Sequence, residues 1–372
     1  MPIEKKRPRG LKGSAMAKAN KKSKTEEPKN PSEVPENAKT VVIDKVVEEG
    51  DEVGEAAALF ESAIEKLETD PEEALALLRG TIHESDRILR NHASEEPLPA
   101  LFYYTYGSSL YELGRLTEDE EFEPYLEAAE ERLNEGLERE DQETNNKIQL
   151  ALAKVWLAKA ASSISEESNQ ALPELSIKAL ETLDEIMSTT QVPNKTIIEL
   201  ADIVQNHGEL YEALESRNKF RVWAEDALEK VLKDEPSNAQ ALTAFGLCKL
   251  SYANYLLDNA AGDDEEEDTQ KTQLTKEEEE AYKIILESKK YFELAKEELV
   301  KEDNLSPQIL SDLAEAYLNE ANLILNEEEQ AAVYQKAVEN IKEAQSLVEE
   351  KNLNFVLPEA LTSFLEEFAQ EE

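Results

Sequence analysis

From residue 51 onward, apolar residues recur at spacings of three and four in thirteen separate stretches, and a chain patterned this way folds by stacking amphipathic helices. The spacing predicts helices over 51–67, 71–90, 97–115, 121–138, 144–166, 170–188, 194–213, 217–234, 238–259, 276–302, 307–326, 328–349 and 357–370. Breakers sit near the ends of these stretches: Asp70-Pro71, Pro97, Pro99, Pro173, Pro193, Pro236, Pro307 and Pro358. Proline lacks the N–H that a helix interior needs but fits the first turn, so it marks boundaries. No segment alternates with a period of two, and no sheet is expected. With 11 glycines in 372 residues and 40% hydrophobic content, the chain favours helix and can still bury a core.

The stretches pair, and the pairs recur. Tyr103, Tyr106, Gly107, Leu110 and Gly114 fall at the first-helix spacings of a tetratricopeptide (TPR) repeat, and Ala224, Leu228, Val231 and Pro236 at its second-helix spacings. Leu313, Ala314 and Tyr317, followed by Ala337, Ile341 and Ala344, give a further partial match. Small residues let two helices approach, and large ones fill the groove between them. Starts near 97, 144, 194 and 238 lie farther apart than the ~34 residues of the standard repeat, so the helices are long and the repeat divergent. The expected fold is all-α: a right-handed α-solenoid of TPR-like pairs over 51–372, with 357–370 as a capping helix. A HEAT-like solenoid and an irregular helical bundle are the structural alternatives.

Charge divides the chain. Residues 1–30 carry ten bases and three acids, whereas the other 342 residues carry 30 bases and 80 acids. Lys5-Lys6-Arg7-Pro8-Arg9 and Lys21-Lys22-Ser23-Lys24 form two clusters on a segment broken by Pro28, Pro31 and Pro35. Residues 1–50 are too polar to offset their ordering entropy and are expected to be a disordered tail. Lys5, Lys6, Arg7, Arg9, Lys21, Lys22 and Lys24 match a bipartite nuclear localisation signal, which implies an import receptor as partner and the nucleus as compartment, with the cytoplasm as a second. The acidic body argues against direct nucleic-acid binding, because phosphate contacts rely on clustered Lys and Arg. No stretch approaches the ~20 apolar residues of a membrane span. Residues 261–280 hold ten acids against two lysines and read as a solvated acidic insertion.

No catalytic, cofactor-binding or metal motif stands out. His83, His92 and His207 are the three histidines, and residue 87 is Arg where a zinc-protease helix would place its second His. Cys248, the single cysteine, is expected to pack between helices. Most aromatics of the first helices should be core, but Tyr104, Tyr111 and Tyr255 are candidates to face a partner across a groove flanked by carboxylates.

The run Gly80-Thr-Ile-His-Glu-Ser-Asp-Arg-Ile-Leu-Arg90 and the run Ala100-Leu-Phe-Tyr-Tyr-Thr-Tyr-Gly-Ser-Ser-Leu110 resemble the fungal enhancer-of-translation-termination family. Within it the chain is most similar to members described as nuclear negative regulators of a prolyl-hydroxylase-like 2-oxoglutarate/Fe(II) dioxygenase. The resemblance implies a non-catalytic regulatory adaptor that binds and inhibits such an enzyme, aids its nuclear import in oxygen-dependent control of hypoxic gene expression, and has a role in translation termination. The acidic body keeps a second class open, a chaperone or scaffold for basic proteins such as histones or ribosomal proteins. An enzyme without a recognisable signature is the third.

Overall fold

A computed structural model describes residues 45, 47–48, 50–67, 69–117, 122–164, 171–260 and 273–371. Among them are thirteen helices and no strand: α1 (Glu52–Lys66), α2 (Pro71–Asn91), α3 (Ala100–Leu116), α4 (Phe122–Leu137), α5 (Gln142–Ser163), α6 (Glu174–Thr189), α7 (Asn194–Glu209), α8 (Leu214–Asp234), α9 (Ala239–Ala260), α10 (Lys276–Lys301), α11 (Pro307–Ala321), α12 (Glu327–Lys351) and α13 (Glu359–Glu371). Each corresponds to one stretch of helical spacing, so the all-α expectation holds. No described helix is long and apolar enough to cross a membrane.

Local chemistry sets the boundaries. The Asp51 and Asp70 side chains accept from the N–H groups of Gly54 and Glu73 at 2.9 and 3.0 Å, satisfying donors that open helix ends leave orphaned. Thr275 and Glu278 form a reciprocal capping box at the start of α10, at 3.0 and 3.2 Å. Glu277–Glu280, counted above with the acidic insertion, therefore open α10, where negative charge suits the helix dipole. Asp263–Asp268 lie outside the described residues. Several ends differ from the spacing, among them α6, which begins at Glu174 rather than 170, and α8, which begins at Leu214 rather than 217. Helix α3 begins at Ala100, since Pro99 takes an extended conformation as its N-cap. Helix α7 stops at Glu209, where the Leu210 and Tyr211 N–H groups turn back onto the His207 and Gly208 carbonyls. Helix α11 stops at Ala321, and Asn322, Leu323 and Ile324 close a turn onto Leu318, Glu320 and Ala321.

Two compact units divide the described chain, one reaching Pro193 and adding Asn206–Asn218, the other holding Asn194–Gln205 and Lys219 onward. In the first, α1/α2, α3/α4 and α5/α6 pair as antiparallel neighbours, and α3 touches both α1 and α5. In the second, α9/α10 and α11/α12 pair, and α9 touches α11. Within each unit the leading helices of successive pairs thus form a row of their own, the packing expected of a helical repeat. Helices α3 and α11 are central and buried on nearly every side.

Small residues bring the helices together. A Cβ built on Gly107 would stand 2.6 Å from Leu133 Cγ and 3.0 Å from the Ala129 carbonyl oxygen. The same construction on Gly246 meets the Phe292 ring at 2.6 Å. Ala224, Leu228 and Val231 on α8 are fully buried, and Leu313, Ala314, Tyr317, Ala337, Ile341 and Ala344 share one core, as the repeat register requires.

Candidate functional site

One face of α11 does not belong to the core. Ile309, Leu310, Leu313, Ala314, Ala316 and Tyr317 are buried apolar positions, whereas Gln308, Asp312, Glu315 and Asn319 recur at steps of four, three and four and share the remaining stripe. Helix α9 supplies Asn254 to it. The Asn319 amide donates to Asn254 Oδ1 at 2.9 Å, Asn254 Nδ2 approaches Glu315 Oε1 at 3.4 Å, and Gln308 Nε2 donates to Asp312 Oδ1 at 2.7 Å. Asp312 is only 6% exposed, and its Oδ2 meets no donor among the described residues.

Burial without a cation makes both acids weak. Asp312 is pushed up to about 7 by desolvation, against the opposing hydrogen bond from Gln308. Glu315 is likewise pushed up to about 7, first by desolvation and then by the neighbouring Asp312 charge, with Asn254 opposing. The nearby bases are engaged elsewhere. Lys289 pairs with Glu320 at 2.6 Å over the Tyr317 ring, Lys336 lies over the same ring, and Lys296 pairs with Glu343 at 2.6 Å. The stripe therefore presents carboxylate acceptors and side-chain amides, with no Lys or Arg paired to either acid among the described residues.

A second polar cluster is closed. Ser176 Oγ on α6 lies 2.9 Å from His207 Nε2 and 3.2 Å from the Tyr211 hydroxyl, and His207 Nε2 lies 3.1 Å from that hydroxyl. Ser176 is fully buried and His207 is 5% exposed, with burial pushing the imidazole down to about 4. A neutral imidazole sharing one point with two hydroxyls, out of reach of solvent, fastens the turn after α7 onto α6 rather than activating a nucleophile.

The tyrosines singled out by sequence separate. Tyr111 is 6% exposed and its ring packs 6.1 Å from that of Phe122, so it belongs to the core and not to a groove wall. Tyr104 is partly buried, edge-on to Phe60 at 5.9 Å. Tyr255 packs partly buried against the core of the second unit, one residue from Asn254. Lys5, Lys6, Arg7, Arg9, Lys21, Lys22 and Lys24 lie outside the described residues. Cys248 is buried, and no group of three or more His, Cys, Asp or Glu side chains among the described residues is placed to hold a metal. Sequence reasoning passed over Asp312 and Glu315. The available signal was their shared face with Gln308 and Asn319, on a helix otherwise apolar.

Paired helices whose leading members line up in a row within each unit define an all-α helical repeat protein. Residues 3–241 match the model of the family described as nuclear pore complex subunit Nro1, and the chain belongs to that family. Among its relatives, the negative regulator of ofd1 from Schizosaccharomyces pombe is 34% identical over 182 residues, covering 45% of this chain and 43% of that protein. Enhancer of translation termination 1 from Candida albicans is 29% identical over 187 residues, covering 49% of this chain and 38% of that protein. The matched stretch thus spans less than half the length of these relatives. Two solved structures of the nuclear import adaptor Nro1 share the fold at 23% identity, with TM-scores of 0.51 and 0.53, each covering 86% of this chain and 93% and 99% of theirs respectively. The enhancer-of-translation-termination resemblance read from the two quoted runs is borne out. The α9–α11 stripe lies beyond residue 241, outside the stretch that the family model matches.

Proposed function

We propose that this chain is a nuclear import adaptor that binds and restrains a prolyl-hydroxylase-like 2-oxoglutarate dioxygenase. The family description names the nuclear pore complex, and the nucleus is the compartment that follows from it. One observation carries the proposal: the family match runs from residue 3 to residue 241, so it takes in both basic clusters and the helical body through α8 as one pattern. An address joined to a partner-holding scaffold is what an adaptor requires. The relative named negative regulator of ofd1 and the neighbours described as import adaptors support the cargo and the transport role. The relatives named for translation termination support a second role there. An acidic chaperone for histones or ribosomal proteins has no counterpart among these relatives. The proposed action is stoichiometric holding and requires no catalytic residue of this chain.

The test is to replace Lys5, Lys6, Arg7, Lys21, Lys22 and Lys24 by Ala in the full chain and follow both proteins by fluorescence microscopy. The chain and the dioxygenase should leave the nucleus together. A dioxygenase that stays nuclear while the chain relocates would remove the cargo role.

A further inference from the structure

We propose that the stripe formed by Gln308, Asp312, Glu315 and Asn319 of α11 with Asn254 of α9 is a docking surface for an extended, arginine-bearing segment of the protein partner. The inference rests on the adaptor reading and names the chemistry of its contact. Three independent features converge on one occupant. The first is the spacing. Positions at steps of four, three and four place the side chains in a line along about three helical turns, roughly 16 Å, which an extended segment of about five residues covers. The second is the pairing deficit. Asp312 is nine-tenths buried, yet its Oδ2 has no donor among the described residues, and its Oδ1 is held by Gln308, an exposed side chain able to swing aside. Buried carboxylate oxygens are normally satisfied, and a planar guanidinium supplies two parallel N–H donors that match them. The third is the pair of amides. Asn254 and Asn319 bond to each other at 2.9 Å, and each retains the donor or acceptor capacity to pair with a peptide backbone.

Among the described residues, no Lys or Arg of the elements packed on α11 pairs with Asp312 or Glu315. Helix α9 contributes neutral Asn254 to the stripe, Lys289 of α10 is committed to Glu320, and Lys336 of α12 lies over the Tyr317 ring. Helix α13 carries only acids among its charged residues. An arriving guanidinium is thus the missing counter-charge. Near neutral pH both acids are partly protonated when no partner is bound, because burial disfavours their charge. A bound guanidinium favours both carboxylates, so the O–H bond of a protonated acid breaks and its proton passes to buffer as the ion pair forms. At pH 7 the release approaches one proton per segment bound.

Isothermal titration calorimetry of the full chain tests this. The titrant is the peptide (Gly-Arg-Ser)4, measured in phosphate and in Tris at pH 7, whose ionisation enthalpies differ. The wild-type chain should show a buffer-dependent enthalpy equivalent to between half a proton and one proton released. Asp312→Asn with Glu315→Gln should weaken binding at least tenfold and abolish the buffer dependence. The exposed pair Glu297→Gln with Glu302→Gln removes the same charge and should change affinity less than twofold. A higher melting temperature for Asp312→Asn/Glu315→Gln at pH 8 shows that the variant folds. Equal weakening by both pairs, or binding with no buffer dependence, overturns the proposal, since diffuse attraction to an acidic body would then suffice. Capture of the dioxygenase by the same variants separates the two levels. Loss by Asp312→Asn/Glu315→Gln supports the stripe, retention overturns it while leaving adaptor function intact, and absence of the dioxygenase from wild-type captures removes the adaptor reading itself.

Discussion

Replacing Gly107 and Gly80 by Ala, one at a time, isolates the close helix approach on which the repeat packing depends. Both glycines are helical, and both lie in the same compact unit, so any unfolding transition they report is shared. Alanine is favoured over glycine in a helix by about 1 kcal/mol, and this gain applies at each position. At Gly80 a new Cβ meets nothing within 4 Å, so the gain stands alone. At Gly107 it would lie 2.6 Å from Leu133 Cγ and 3.0 Å from the Ala129 carbonyl oxygen, and the second of these is backbone. Helix α4 must therefore move away from α3, and overpacking of this kind costs about 1–3 kcal/mol. Gly80→Ala should stabilise the unit by about 1 kcal/mol, and Gly107→Ala should fall below it by the whole overpacking cost. At about 2–4 °C per kcal/mol for folding units of this size, the two melting temperatures should differ by roughly 2–12 °C. Far-UV circular dichroism through thermal unfolding, with urea titration as a second measure, reads the difference. A Gly107→Ala protein as stable as Gly80→Ala would refute the tight α3–α4 contact and with it the assigned repeat register.

Other perturbations have defined signs. His207 is held down at about 4 in the folded chain against 6.5 in the unfolded one, so the unfolded state gains a proton first. Folding stability should fall by about 3 kcal/mol as pH drops from 6.5 to 4, and His207→Gln should flatten that limb of the pH–melting curve. Asp312 is shifted the opposite way, so its contribution is favourable below pH 4 and is lost as pH rises through about 7. Asp312→Asn should accordingly stabilise the fold at pH 8 by about 1–3 kcal/mol, read as a higher melting temperature, and leave it unchanged near pH 4. Trp156→Phe removes the indole donor to Glu130 at 2.8 Å and weakens the stacking under Lys178 at 3.7 Å, and should cost about 1–3 kcal/mol in urea unfolding.

The helices were legible because each carries its own local signals. Asp70-Pro71, Ser306-Pro307 and Thr275 with Glu278 satisfy or remove N-terminal donors at those positions whatever the rest of the fold does. Ends set by tertiary contact were harder to read. The apolar Leu210 and Tyr211 continue the α7 period, yet Tyr211 turns back to meet Ser176, a contact 35 residues away in sequence. The acidic stripe was opaque for a related reason. Asp312 and Glu315 are two of 83 acids, and the desolvation that sets them apart arises only once neighbouring helices pack on α11. Tyr111 was misplaced because an amphipathic ring suits a core and a groove equally. Its contact with Phe122 decided between them.

Adaptor function stands or falls on the cargo. The direct measurement is affinity capture of the full chain from its native cells at low and at normal oxygen, with the bound proteins identified by mass spectrometry. Holding of a dioxygenase predicts recovery of a prolyl-hydroxylase-like 2-oxoglutarate dioxygenase with near-stoichiometric yield, higher at low oxygen. Recovery of histones or ribosomal proteins in its place, released by moderate salt, would contradict it and make the acidic body a chaperone surface.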